Sequence, residues 1–320
     1  VVEALLILDG ASEPLGDGPT SLERARTPAL DGLGREGALT RLRTVAPWLP
    51  AGSEAAIPAL LGWVPPAPVD RGALEAAARG IAPVPGERAW RVDVVVRLKG
   101  RAGEAETAAA AERIARTSAR HRVHRLGGHR LLVVGPSPLV LPPPAPGDED
   151  ELRVWPEGIL PPRLLGEETV VVAAAGAAAG AARLLGAAVV VPPGASGGPG
   201  TDLTAKADAA RAAIEAGARR LVVHVGAADE AAHARDAAGK VAAIEAADAR
   251  LVLPLAATVD EVGGTLTVCP DHGCDPATGE HDAEPVPCLR WPAPDGPRGR
   301  LTERAVAVLP VREPAVAVAT

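Results

Sequence analysis

Residues 4–8 run Ala-Leu-Leu-Ile-Leu without a polar break and close on Asp9-Gly10, the pattern of a strand buried on both faces of a parallel sheet. A loop rich in Gly, Pro and Ser follows. SLERARTPALDGLGREG then reads as two short helical pieces split at Pro28, and residues 53–62 as a further helix beginning at Ser53. From about Arg91 the texture changes. WRVDVVVRL predicts a strand, AGEAETAAAAERIARTSAR a helix of strong Ala, Glu and Arg propensity, and HRVHRLGGHRLLVVG a hairpin turning at Gly-Gly. LPPPAPGDEDE reads as a Pro-rich acidic linker. After about residue 168 strands and helices alternate. ETVVVAAAG (leading into an Ala/Gly helix), AAVVVPPG, RRLVVHVGAAD and GTLTVCPDHG read as strands, and DLTAKADAARAAIEAGA and AGKVAAIEAADARLVLPLAA as helices. This alternation predicts an α/β protein with a mainly parallel sheet covered by helices on both faces. The strand, helix and hairpin of residues 86–165 predict a smaller α+β domain inserted between core segments 1–85 and 166–320.

The length of 320 residues suffices for one large domain and a smaller one. The chain has no Phe, Tyr, Met, Asn or Gln, so its core must be built from Leu, Val, Ile, Ala and five Trp. A formal charge of −7 without a long basic run gives no support to a nucleic-acid partner. No apolar stretch reaches the roughly 20 residues of a membrane span, so no membrane partner is expected. The first residues also lack a signal-peptide layout. Cys269, Cys274 and Cys288 are odd in number and crowded together, which argues against a disulfide framework and for a reducing cytoplasm. Their spacing lacks a paired C-x-x-C, so they are expected to be small buried hydrophobes in place of zinc ligands.

Three predicted strands run into an acidic residue: Asp9, Asp229 and Asp271. Ligands of open α/β sheets gather at the carboxyl ends of strands, so three distant carboxylates are placed to converge on one rim. Asp229 and His233 are four residues apart and share one face of a helix. Asp271 and His272 are adjacent, so they are expected to point to different sides and to serve two metals or two shells of one. His281 lies in a loop of Gly, Asp and Pro. Mixed imidazole and carboxylate donors suit Zn2+ or Mn2+, with Mg2+ on an oxygen-rich side. Ser53, between Gly52 and a helix, fits an ordinary N-cap. It equally fits a nucleophile, because a helix N-terminus offers N–H groups and positive dipole to a phosphate, and a bound metal lowers a hydroxyl's pKa.

Four ordered blocks carry a family likeness: LLILDGASEPLGDGPTSLERARTPALDGLGREG, AGSEAAIPALLGW, HVGAADEAAHARDAAGKVAAIEAAD and CPDHGCDPATGEHDAEPVPCL. Together they resemble the archaeal-type cofactor-independent phosphoglycerate mutases of the alkaline phosphatase superfamily, and they span most of the chain outside the inserted domain. The resemblance implies an alkaline-phosphatase-like core with one divalent metal on Asp229, His233 and His281 and a second on Asp9, Ser53, Asp271 and His272. It implies that Ser53 becomes phosphoserine and that the inserted domain is the cap. It also implies that Arg71 in DRGALEA and Arg91 in AWRVDVV meet substrate phosphate or carboxylate, although either could be a surface arginine. The implied reaction interconverts 3-phosphoglycerate and 2-phosphoglycerate, with a small phosphorylated molecule as partner. The chain departs from the family in having Glu54 for Asp, Asp93 for Asn and Gly273 for Ser. It is also shorter than typical members, mainly in the cap. These departures leave two alternatives: a metal-dependent phosphatase or phosphonate hydrolase acting on another small substrate, and a non-catalytic homologue.

Overall fold

The computed structural model describes residues 1–97, 100–143 and 150–313. Two compact units emerge, Val1–Pro68 with Pro161–Thr320, and Val69–Leu160.

The first unit is built on an eight-stranded sheet. Its spatial order is Val311–Arg312, Ala38–Leu42, Val286–Trp291, Thr265–Cys269, Glu3–Leu8, Arg220–Val225, Thr169–Val172 and Ala188–Val190. The Glu3–Leu8 strand lies near the centre, paired in parallel with Arg220–Val225 on one side and Thr265–Cys269 on the other. Leu6, Ile7, Leu221, Val223, Leu266 and Val268 are fully buried. Each such side chain contributes on the order of 2 kcal/mol by leaving water. Only Val286–Trp291 runs against its neighbours, so the sheet is mainly parallel, as the alternating pattern predicts.

Three of these strands escape the sequence reading: Val311–Arg312, Ala38–Leu42 and Val286–Trp291. Ala38–Leu42 carries Thr40 and Arg41, and Val286–Trp291 carries Pro287, a residue that argues against a central strand. The Pro is tolerated because pairing to Thr265–Cys269 covers only Leu289–Trp291, so Pro287 lies beyond the end of that ladder.

Helices Pro28–Glu36, Leu203–Glu215 and Ala237–Ala247 contribute buried apolar residues to the same core cluster as the strands. The segment read as one helix from residue 238 is interrupted. A π-helical turn at Asp248–Val252 joins Ala237–Ala247 to Leu253–Glu261, with Pro254 just past the junction. Buried Asp248 explains why the turn is retained: its carboxylate accepts from Ala29 N at 3.0 Å and Leu30 N at 2.8 Å, capping a helix that Thr27 does not cap. No described helix is long and apolar enough to cross a membrane.

The second unit has its own core of Val92, Val94, Val96, Ala102, Ala110, Ile114, Leu131 and Val133. Helix Glu104–Thr117 and the antiparallel strands Glu87–Val96, Arg122–Gly127 and Arg130–Pro136 enclose it. Gly127 and Gly128 turn the hairpin with positive φ. The unit's edges lie at residues 69 and 160, where the sequence reading set 86 and 165. Helix Arg71–Ala78 accounts for the earlier edge. It packs on Glu87–Val96 so closely that a Cβ on Gly72 would sit 2.1 Å from Ala89 O. At the other edge, Leu164 N and Leu165 N donate to Leu185 O, which ties residues 161–165 to the first unit. Of the expected linker at 141–151, residues 144–149 lie outside the described residues, while Asp150 and Glu151 begin a strand, Asp150–Val154, on Glu87–Val96.

Candidate metal centre

Three adjacent parallel strands, Thr265–Cys269, Glu3–Leu8 and Arg220–Val225, deliver the site from their carboxyl ends. Asp9 follows the central strand directly. Asp271 follows Pro270, which ends its strand. The third strand stops at Val225, so Asp229 lies in the first turn of helix Ala227–His233, not at a strand end. One helical turn then places His233 Nε2 3.3 Å from Asp229 Oδ2. Gly10, at φ +61°, lets the chain turn between these groups. Its N–H donates to Asp271 Oδ1 at 3.1 Å, and a Cβ there would lie 2.6 Å from Asp229 Oδ1 and 2.8 Å from Asp229 Cα.

The first cluster joins Asp9, Ser53, Asp271 and His272. Ser53 Oγ lies 3.4 Å from Asp9 Oδ1, to which it donates, and 3.2 Å from His272 Nε2. His272 Nε2 is 3.3 Å from Asp9 Oδ1 and 3.5 Å from Asp271 Oδ2. Adjacent Asp271 and His272 therefore converge instead of diverging. Strand alternation does not apply to them, because the strand ended at Cys269. Ser53 is the first residue of helix Ser53–Leu60; Gly52 occupies the N-cap position and no side-chain cap bond is made. The serine hydroxyl is thus turned to the acidic cluster and leaves the helix uncapped.

The second cluster joins Asp229, His233 and His281, and it contains a residue the sequence reading set aside, Cys274. One ligand atom from each lies within 4.8 Å of all the others. His281 belongs to a two-residue strand, His281–Asp282, paired with Gly273–Cys274, and Cys274 is its direct partner. No signal in the cysteine spacing could have shown this, since the pairing depends on a turn of the loop between them.

A divalent cation fits both clusters on their own hydrogen bonding. Asp271 is fully buried; its Oδ1 accepts from Gly10 and His272 main-chain N–H groups, while Oδ2 has no hydrogen-bond partner among the described residues. Leaving such an oxygen bare is costly unless a cation meets it. In the second cluster, His233 Nδ1 faces Gly279 O at 2.8 Å and His281 Nδ1 faces Ala51 O at 3.3 Å. A carbonyl only accepts, so both Nδ1 atoms carry hydrogen, and each ring when neutral keeps its Nε2 lone pair for a ligand. Those two Nε2 atoms are 2.8 Å apart, a contact that needs a proton or a cation between them.

The electrostatics agree. Burial, and then repulsion from Asp271 and Asp229, raises the Asp9 carboxyl well above its usual range. Burial would raise Asp229 too, but hydrogen bonds from His233 and His281 hold it well below. Burial opposes the charge on His281, yet the Asp229 carboxylate raises that imidazole to about 9. Behind the cluster lies His224, also missed by the sequence reading because it sits inside the apolar run LVVHV. Its Nε2 is 3.1 Å from Asp9 Oδ2, and burial lowers it to about 4, so it is neutral near pH 7.

Arg71 and Arg91 belong to the second unit, where both stand over the Trp155 ring at 5.4 and 5.6 Å. Arg91 is 4 % exposed and donates to Glu75 at 2.8 Å and Asp93 at 2.5 Å. Arg71 is the more open, at 14 %, with Nε 3.3 Å from Glu75. Asp93, which departs from the family pattern, also accepts from Trp155 Nε1 at 2.8 Å.

The sequence profile of the Metalloenzyme superfamily matches residues 3–295. This chain belongs to that superfamily. Among solved structures the metalloenzyme is similar to a Pyrococcus horikoshii protein, with a TM-score of 0.79 and 22 % identity over 99 % of this chain and 96 % of that one. It also shares the fold of the cofactor-independent phosphoglycerate mutase of Thermoplasma acidophilum, with a TM-score of 0.55 and 16 % identity over 99 % and 98 % of the two chains. Two 2,3-bisphosphoglycerate-independent phosphoglycerate mutases are similar over shorter segments. That of Methanopyrus kandleri is 39 % identical over 93 residues, and that of Methanosarcina barkeri 37 % over 103. These segments make up 29 % and 31 % of this chain, and span only 22 % and 26 % of the relatives' lengths.

Proposed function

We propose that this metalloenzyme interconverts 3-phosphoglycerate and 2-phosphoglycerate through a phosphoserine at Ser53. The observation that carries the reading is the placement of Ser53 Oγ at the head of its helix, 3.2 Å from His272 Nε2 and 3.4 Å from Asp9 Oδ1, beside the orphaned Asp271 oxygen. In this reading Asp9, Ser53, Asp271 and His272 hold one divalent cation, and Asp229, His233 and His281 another. Mn2+, Zn2+ or Mg2+ would supply there the positive charge that lowers the serine pKa and neutralises phosphate oxygens.

Ser53 Oγ takes the phosphoryl group from one glycerate ester oxygen, and the proton lost by the serine ends on that leaving oxygen, which becomes a hydroxyl. The freed glycerate then accepts the group on its other hydroxyl, and the serine regains a proton. The helix N–H groups behind Ser53 face the phosphate. Arg71 and Arg91 are assigned to the substrate's phosphate or carboxylate, with Arg71 the more exposed of the two. Water must be kept out while the glycerate reorients, since water would take the phosphoryl group in its place. Three cysteines without a disulfide suit a cytoplasmic setting.

The test is phosphorus NMR of the metal-loaded protein with 3-phosphoglycerate. The expected product is 2-phosphoglycerate, and Ser53→Ala should lower its rate by at least about a thousandfold. Inorganic phosphate as the sole product would replace the mutase with a phosphatase on the same site.

A further inference from the structure

We propose that the Cys274 thiolate is the fourth protein ligand of the cation at Asp229, His233 and His281, so that this cage selects a zinc-class metal and the Ser53 cage a harder one. The inference rests on the two-cation reading and goes beyond it by giving the cages different metals.

Cys274 is fully buried, and its main chain is pinned on both sides. Its N–H donates to Ser12 O at 2.9 Å, and its carbonyl accepts from Lys240 Nζ at 2.6 Å. Lys240 is itself fully buried and held by Glu13 at 2.8 Å and Ser12 O at 3.0 Å, so the anchor is rigid. Cys274 stands directly opposite His281 in an antiparallel pair, the arrangement that sends two side chains to the same face. Its Sγ thereby joins the Asp229 oxygen and the two Nε2 atoms within 4.8 Å. Ligand edges in a tetrahedral zinc site are about 3.3–3.7 Å. Asp229 Oδ1 lies 3.1 Å from His281 Nε2 and Asp229 Oδ2 3.3 Å from His233 Nε2, near that scale, while the two Nε2 atoms are closer, at 2.8 Å.

The donor chemistry of the two cages differs. Two imidazoles, a carboxylate and a thiolate form a soft set that favours zinc or cobalt over manganese and magnesium. Three oxygens and one imidazole, from Asp9, Ser53, Asp271 and His272, form the harder set. Four protein ligands also fill a tetrahedral sphere. The cation on Cys274 would then meet a phosphate only by becoming five-coordinate, whereas a harder, octahedral cation on the four Ser53-side ligands would keep two positions open. Binding releases the thiol proton to solvent. Cys269 and Cys288 take no part: they lie on neighbouring sheet strands and hydrogen-bond to each other.

The test is cobalt titration of the intact protein, read by absorption. The expected result is two cobalt ions per chain with a sulfur-to-cobalt charge-transfer band. The band should vanish in Cys274→Ser and persist in Cys288→Ser, and zinc affinity at this cage should fall at least about tenfold in Cys274→Ser. Cadmium NMR of the unaltered protein reads the same point without a variant, with one of two resonances expected in the sulfur-ligated range. Two bound ions with no sulfur signature in either measurement would overturn Cys274 ligation while leaving the two-cation site standing. A protein that binds neither ion would overturn both.

Discussion

His281 shows how one side chain couples the site to solvent conditions. Without metal, burial opposes its charge, but the Asp229 carboxylate wins and raises it to about 9, above the usual histidine value. A folded value above the unfolded one means that the stability it contributes is fully present below about pH 6.5 and is lost as pH rises through about 9. The same proton must leave before Nε2 can hold a cation. This proton alone is therefore expected to make metal affinity at the Asp229 cage rise roughly tenfold per pH unit up to about pH 9, with any thiol proton released there adding to the slope. Calorimetric titration in buffers of different ionisation enthalpy should find a proton released per ion from this histidine, and a pH-independent affinity would contradict the assignment. Asp229 and His233 were legible from a four-residue spacing, because a helix makes that spacing a contact. Cys274 and His224 were not, because their partners are set by strand pairing across the sheet and loop.

The helix Arg71–Ala78 carries the second unit's most buried ion pair. Burial alone would raise the Glu75 carboxyl, but Arg71, Arg91 and Arg79 bring it down to about 2. Its folded value lies below the unfolded one near 4.5, so its stabilisation is complete above about pH 4.5 and is lost as pH falls toward 2. Glu75→Gln leaves buried Arg91 with Asp93 alone of its two carboxylate partners, and a loss of about 3 kcal/mol is expected at pH 7. Urea unfolding followed by tryptophan fluorescence measures this loss, and the variant's disadvantage should shrink below pH 4.5. The sequence reading places this helix in the core segment 1–85. Its Ala-rich pattern fits either unit, and only Gly72 against Ala89 and Glu75 against Arg91 decide. The Pro-bearing Val286–Trp291 strand was hidden for a related reason, since local propensity says nothing about where a ladder ends.

Over the whole molecule, every residue of the two proposed cages comes from the first unit, while the second has a separate apolar core. Removing metal should therefore loosen the first unit selectively. At an ion concentration about a hundredfold above the dissociation constant, the bound metal contributes about 2.7 kcal/mol. Chelation should lower the melting temperature and speed amide exchange at 3–8 and 220–225, with 87–96 and 130–136 unchanged. Equal acceleration in both units would refute this division. The alternating βα rhythm made the sheet readable in advance because parallel strands need long crossovers. Gly10 adds a constraint that no side chain supplies: a Cβ there would collide with Asp229, while its amide donates to Asp271. The gap between the two proposed charges is thus gauged by bare backbone, and a single added methyl would act as a shim, prising apart the two proposed ions, whose joint grip on one phosphate would require them to stay close.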